Sequence, residues 1–363
     1  MNHLEQAFPA TAEALPRRSF ALLPTPVETL PVHRPNTQVW IKRDDLSGLE
    51  YGGNKVRKLE YLLGHAVENG LRKVVTFGTA GSNHALATGI YAGQEGLRSI
   101  SMLTPQTNAA YVARNLLRGL RAGIEFHACR DDSAVKRALP WVRLRHRISD
   151  GKAPMVIAGG GSSVAGTIGF VNAGFELRAQ IDAGQLPEPD FIYVALGTMG
   201  TAAGLLLGIR AAGLTSKLVC VRVVQSRYAN PEKFAALLSA SAAKLRYIAP
   251  AFPVLNEADL IAEFRDEFFG GGYARFTNEG MQAIRIASEA GSPELEGTYT
   301  GKAFAALVHD LSVGRLDGKR VLFWNTYNSR PFPSDLGDED PGELPPELQT
   351  YFTLPVQALD AAG

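Results

Sequence analysis

The sequence predicts an α/β protein built on a parallel sheet, or on two of them. Three observations carry this. Short apolar runs alternate with helical spacings along most of the chain. The composition is that of an ordinary globular protein, 45% hydrophobic and 20% charged. The length, 363 residues, suggests two lobes rather than one. In chain order, residues 1–35 are rich in Pro and Ala and read as an irregular arm laid over a core. A short strand follows at 39–45, then a helix at 54–69 with apolar positions at Leu59, Leu62, Leu63 and Ala66. Strands are expected at 73–77, 98–103, 125–129 and 155–158. Helices are expected between them at 82–95, 109–122 and 132–148, the last bent or interrupted at Pro140, and after them at 164–183. The pattern repeats with strands at 191–196 and 217–224 and helices at 201–212 and 231–246. Helices at 278–290 and 300–311 precede a last strand at 320–324. The polar break 182–189 suits a crossing between lobes, and the tail after Pro331 reads as a surface segment.

The charges balance, 37 basic against 36 acidic, so nothing calls for nucleic acid or an anionic membrane. Cys129 and Cys220 both sit in apolar runs and read as small buried hydrophobes. No C-x-x-C, H-E-x-x-H or clustered histidine appears, so no metal is expected. No apolar run is long enough to span a bilayer, and the first twenty residues lack a basic-then-apolar leader. A reduced, cytoplasmic setting is the expectation.

In open α/β sheets ligands gather at the carboxyl ends of strands, so the strand-to-helix turns carry the information. Four stand out. In Gly52-Gly53-Asn54-Lys55 a lysine sits just inside a helix start, where a cation is unfavourable unless an anion or an imine partner is near. The same segment also suits a solvated basic helix start. In Gly78-Thr79-Ala80-Gly81-Ser82-Asn83-His84, Ser82 is placed to cap a helix, and the turn could equally bind a carboxylate. Gly197-Thr198-Met199-Gly200-Thr201 follows the strand FIYVAL and can aim successive N–H groups at one phosphate, or simply pack tightly. It is neither G-x-G-x-x-G nor G-x-x-x-x-G-K-[ST], which disfavours a dinucleotide or triphosphate site. In Gly297-Thr298-Tyr299-Thr300-Gly301-Lys302, Thr300 is a candidate N-cap. Together the turns supply an amine, a carboxylate pocket, a monophosphate cup and a hydroxyl pair. Pyridoxal 5'-phosphate needs that set.

With those residues in view, the sequence resembles the 1-aminocyclopropane-1-carboxylate deaminase / D-cysteine desulfhydrase family. LSGLEYGGNKVRKLEYLL is similar to its cofactor-lysine segment, Ser82-Asn83-His84 to its Ser-Asn-His/Gln turn, GTMGTAAGL to its phosphate loop and GTYTGKAFAAL to its tyrosine turn. The matches keep their order from about Pro24 to Tyr327. The resemblance implies two open, mostly parallel sheets flanked by helices, the fold-type II arrangement of the tryptophan synthase β chain. It implies a large cofactor-binding domain over 1–60 and 185–363 and a small domain over 61–184. It implies Lys55 as the Schiff-base lysine and Asn83 on the cofactor's ring hydroxyl. Ser82 and His84 would bind the substrate carboxylate, with Ser82 also moving a proton. Gly197, Thr198, Met199, Gly200 and Thr201 would hold the phosphate. Tyr299 would lie by the reacting carbon, and Thr300 would face the pyridine nitrogen. It further implies a homodimer acting on a small amino acid.

One stretch departs from the family. Its last strand usually enters a Thr-Gly-Gly turn, whereas this chain reads Trp324-Asn325-Thr326-Tyr327-Asn328-Ser329. That puts the substrate in question more than the cofactor. Ring-opening members carry glutamate where Thr300 stands, and desulfhydrase-like members carry threonine, so the expected reaction is α,β-elimination to ammonia and a 2-oxo acid. Cyclopropane-ring opening, another pyridoxal-phosphate-dependent amino-acid enzyme of the same fold, and a non-catalytic binding homologue are the alternatives. A nucleotide-dependent oxidoreductase would fit the alternation but lacks its fingerprint.

Overall fold

The computed structural model describes residues 2–31 and 36–361. Its strands are β1 (Val27–Thr29), β2 (Gln38–Lys42), β3 (Lys73–Thr79), β4 (Arg98–Thr104), β5 (Glu125–Ala128), β6 (Met155–Val156), β7 (Phe191–Leu196), β8 (Lys217–Arg222), β9 (Glu263–Arg265) and β10 (Arg320–Trp324). They form two sheets. One has six strands in the order β1-β2-β10-β7-β8-β9, the other four in the order β5-β4-β3-β6. Every pairing is parallel except β1 with β2. The two mostly parallel sheets with flanking helices are the predicted fold class.

Burial explains the order of the larger sheet. All six residues of β7 are buried, as expected for a strand covered on both faces, and β7 sits near the middle. The three-residue strands β1 and β9 form its edges. The helices Val164–Asp182 and Gly200–Ala211 pack backbone to backbone on this sheet. A Cβ on Gly174 would fall 2.4 Å from the carbonyl carbon of Gly208, and one on Gly208 would fall 2.3 Å from Val171 O. Only glycine permits that approach. It fixes the start of the Gly200 helix, and with it the Gly197–Thr201 turn.

Several expectations need correcting. The arm is not irregular: helices His3–Ala7 and Ala10–Ala14 form within it, and β1 pairs with β2. Asn2 caps the first helix by accepting from Leu4 N and Glu5 N, and Leu4 is fully buried. Residues 32–35 of that arm lie outside the described residues. The strand expected over 39–45 ends at Lys42, because Asp44 and Asp45 turn inward to Arg57 and Arg43. The strand expected over 155–158 keeps only Met155–Val156, and the one expected over 217–224 ends at Arg222. The helix Asp132–Asp150 runs through Pro140 without interruption. Pro140 and Lys136 are both exposed there, so water can satisfy the carbonyl that a proline leaves unpaired. The tail is more than a surface strip. Leu344, Leu348 and Tyr351 are buried against Tyr111, Val112 and Leu116, and Gln106 N donates to the Tyr351 hydroxyl at 2.8 Å.

Candidate active site

The carboxyl ends of both sheets open on a cavity of about 1150 Å³. Its wall includes Lys55, Ser82, Asn83, His84, Gly197, Thr198, Met199, Thr201 and Tyr299. The four turns singled out in the sequence therefore converge.

Lys55 opens the helix Lys55–Glu68, with Asn54 at the cap position. Gly53 has φ 88°, and a Cβ there would fall 2.8 Å from Thr326 O, so both the backbone and the space demand glycine. The stretch that departs from the family is what fills that space. Gly52 N donates to Asn328 Oδ1 at 2.6 Å and Asn54 N to Thr326 O at 3.2 Å. Tyr327, buried, forms part of the cavity wall. The Lys55 amine donates to Asn54 Oδ1 at 2.8 Å and lies 6.0 Å from the Tyr299 ring centroid. Burial pulls its pKa down to about 8, with Glu296 pulling back.

Ser82 is the N-cap of the helix Asn83–Gln94, accepting from Ala85 N at 3.2 Å, as predicted. His84 is buried against Thr76, Nε2 to Oγ1 at 3.0 Å, and burial then Lys55 hold its pKa well below the usual histidine value. It reaches the site as a neutral ring.

The third turn forms a cup. Met199 takes φ 71°, and Gly200 N donates to Ser162 Oγ at 3.0 Å, itself 2.7 Å from Thr198 Oγ1. Gly200 lies just behind the cavity wall. A Cβ on it would fall 2.7 Å from Ser162 Oγ and 3.2 Å from Lys58 Nζ. Lys58, one helical turn after Lys55, donates to Gly160 O at 3.0 Å. Burial and then the Lys55 charge hold its pKa well below the usual lysine value. The Lys58 amine is buried beside the N-terminus of the Gly200 helix, with the Lys55 charge close enough to be felt, and among the described residues neither amine has a carboxylate within ion-pair distance. Such a place wants an anion, and a phosphate monoester fits it.

The fourth turn differs from expectation. Thr300 is not the cap and does not reach the cavity wall: it is fully buried, and its Oγ1 accepts from Glu296 N at 2.8 Å. The Glu296 carboxylate does the capping, accepting from the N–H groups of Thr298, Tyr299 and Thr300 at 2.7–2.9 Å. Thr300 cannot cap because the helix already starts at it, with Tyr299 at the cap position, and its hydroxyl is turned back to Glu296 N. Burial raises the Glu296 pKa despite the three donors. The Tyr299 hydroxyl lies 2.5 Å from that of Tyr273, and burial, then Tyr273, raises its pKa well above the usual phenol value.

Sequence reasoning missed Lys58, Ser162, Tyr273 and Glu296. Lys58 was findable as the lysine three positions beyond Lys55. Tyr273 follows the triple glycine Gly270-Gly271-Gly272, a turn signal left unread. Ser162 and Glu296 carry no local signal of their role. Among the described residues no group of three or more His, Cys, Asp or Glu could hold a metal, and no helix is long and apolar enough to cross a membrane.

The family model for pyridoxal-phosphate dependent enzymes matches residues 18–326. The chain belongs to that family. It is 34% identical over 309 residues to a Pyrococcus horikoshii protein provisionally named as a 1-aminocyclopropane-1-carboxylate deaminase, covering 83% of this chain and 88% of the relative. It is 32% identical over 321 residues to the D-cysteine desulfhydrase of Salmonella typhimurium, covering 86% and 93%. Among solved structures it is similar to a homologue of 1-aminocyclopropane-1-carboxylate deaminase, at 31% identity and a TM-score of 0.73, over 94% of this chain and 98% of that one. This pyridoxal-phosphate enzyme is thus a lyase of the deaminase/desulfhydrase type with the fold-type II architecture.

The cup makes a test. If the turn holds the cofactor's phosphate, Gly200→Val should weaken pyridoxal-phosphate binding by about tenfold or more, because the added carbons meet Ser162 and Lys58. Equilibrium dialysis reads this directly; unchanged affinity would mean that the turn only packs.

Proposed function

We propose that this enzyme performs α,β-elimination on a small amino acid bearing a leaving group on its β-carbon, such as D-cysteine, and releases ammonia and a 2-oxo acid. When bound, pyridoxal phosphate supplies an electron sink for the bond broken at the substrate's α-carbon. Lys55 holds the cofactor, Lys58 and the Gly197–Thr201 turn hold its phosphate, and Asn83 donates to its ring hydroxyl. Ser82 and His84, at the start of the Asn83 helix, bind the substrate carboxylate, and Ser82 Oγ can carry a proton. Tyr299 lies beside the reacting carbon, where its neutral hydroxyl can donate.

The observation that supports elimination over ring opening is the state of the Tyr299 turn. Position 300 is a threonine, and the carboxylate at that turn, Glu296, is committed to three backbone N–H groups. No carboxylate of this turn is therefore free to hold a proton on the pyridine nitrogen. A less protonated ring is a weaker electron sink, which suits a substrate with a good leaving group and no need for a long-lived carbanion. The name of the Salmonella relative agrees with this reading, and the name of the Pyrococcus relative favours ring opening instead. A panel of D- and L-amino acids with β-leaving groups, run beside 1-aminocyclopropane-1-carboxylate with 2-oxo acid as readout, decides between them. We expect turnover of the β-substituted substrates; turnover of the cyclopropane alone would overturn the proposal. We also propose that the protein works as a cytoplasmic homodimer, with the larger sheet carrying the cofactor domain (1–60 and 185–363) and the smaller sheet the small domain (61–184).

A further inference from the structure

A primary amide can turn either an acceptor or a pair of donors toward a ligand. For Asn83 two neighbours determine the choice. The Tyr51 hydroxyl donates to Asn83 Oδ1 at 3.1 Å, and Asn115 Nδ2 donates to the same oxygen at 2.9 Å. Two donors take up the two lone pairs of that oxygen, and the NH2 group remains to face the cavity that Asn83 lines. The donors come from separate elements. Asn115 belongs to the helix Ala110–Arg121, and its other N–H is held by Gly81 O at 3.0 Å, so its amide cannot flip without losing both bonds. Tyr51 stands directly before the Gly52-Gly53 turn, and its own carbonyl accepts from the Tyr91 hydroxyl. Both are nearly fully buried, Tyr51 4% and Asn115 5% exposed. Burial, and then Tyr327, keep the Tyr51 phenol protonated far above the ordinary phenol range, so it remains a donor at any working pH.

We infer that Tyr51 and Asn115 are positioning residues that lock the Asn83 amide with its NH2 toward the cofactor's ring oxygen. The inference rests on the assignment of Asn83 to the ring hydroxyl. It adds that the donor character of Asn83 is imposed from outside the site, by one residue on the lysine segment and one behind the carboxylate-binding turn. Loss of either donor lets the amide turn, and its oxygen would then oppose the ring oxygen.

A double-mutant cycle tests this. Cofactor-free wild type, Tyr51→Phe and Asn115→Leu are compared with the same changes in an Asn83→Ala background. Pyridoxal-phosphate dissociation constants come from equilibrium dialysis, and the pH midpoint of the lysine-bound absorption band is read in parallel. Tyr51→Phe should weaken binding several-fold and Asn115→Leu about tenfold, and both should move the midpoint. In Asn83→Ala the same changes should have almost no further effect, because no amide is left to orient. Equal losses in both backgrounds would mean that the residues act only on packing and would overturn the inference, as would no loss in wild type. Tyr51→Phe keeps the ring and tests the claim even if Asn115→Leu, which also strips Gly81 O of its donor, fails to fold. Absence of the band from wild type would count against Lys55 alone, since dialysis still reads the cycle.

Discussion

Lys55→Ala is expected to lower turnover by about a thousandfold or more while leaving the protein folded and able to bind the cofactor non-covalently. Lys55, Lys58 and Lys302, all with depressed amine pKa values, compete for the assignment, and their surroundings separate them. The Lys302 amine is not part of the cavity wall and is taken up by Phe269 O at 2.7 Å and Gly272 O at 3.4 Å. Lys58 lies on the cavity wall, but beside Gly200, held by Gly160 O. Of the three, Lys55 alone stands near the Tyr299 ring, on the cavity wall that Asn83 also lines. Its pKa of about 8 sets the pH dependence. The neutral amine is the nucleophile, and it is the form present above that value. Labelling of Lys55 by an amine reagent in cofactor-free protein should therefore rise roughly tenfold between pH 7 and pH 9 and then level off. Borohydride reduction of the holoenzyme followed by mass spectrometry should place the pyridoxyl adduct on Lys55, and an adduct on Lys58 or Lys302 would sink the assignment.

What was legible in the sequence was what short-range physics dictates. β7 and β10 coincide with the expected strands, because uninterrupted apolar runs bounded by polar turns leave little choice. The Ser82 cap was readable because capping acts within three residues. The three-residue edge strands β1 and β9 are too short to show an alternation, and pairing with a distant neighbour creates them. The tail was misjudged for a related reason. Its acidic residues suggested solvent, while Leu344, Leu348 and Tyr351 find a partner only once the Tyr111 helix is in place. At the site, each turn identified by its glycines reached the cavity, since glycine marks close approach by itself. Thr300 did not, because its buried hydroxyl accepts from Glu296 N, a contact that depends on how the turn folds back. Ser162 and Glu296 meet the ligand space through tertiary structure, and no one-dimensional pattern ranks them above their neighbours, whereas Lys58 and Tyr273 carried a local signal in their spacing from Lys55 and from the triple glycine.

Breaking the buried ion network behind the Lys55 helix is expected to have the largest effect on stability. Arg57, two residues after Lys55, donates to both carboxylate oxygens of Glu176 at 2.8 and 2.9 Å and to both of Asp44 at 2.7 and 2.9 Å. Lys42 donates to the same Glu176 at 2.6 Å, and Thr25 from the N-terminal arm closes the cluster. All four charged groups are at most 1% exposed. The network joins β2, the Lys55 helix and the helix Val164–Asp182, and so anchors the start of the helix that carries Lys55. A buried pair adds little over an apolar replacement of the same shape, but removing one partner strands the other charge without water. Glu176→Leu leaves Lys42 and Arg57 facing each other with Asp44 alone, and should destabilise the fold by about 3–5 kcal/mol, with cofactor content falling in parallel. Burial alone would raise the Glu176 pKa; Arg57 and then Lys42 more than offset this and hold it well below the usual carboxylate range. A carboxylate depressed on folding contributes its full stability above its unfolded pKa, near 4.5, and loses it only as pH falls through the lower folded value. The gap between wild type and Glu176→Leu in urea denaturation should thus stay constant from pH 8 down to pH 5 and narrow only in stronger acid. A gap below 1 kcal/mol at neutral pH would mean that the cluster is dispensable and that packing alone positions the lysine helix.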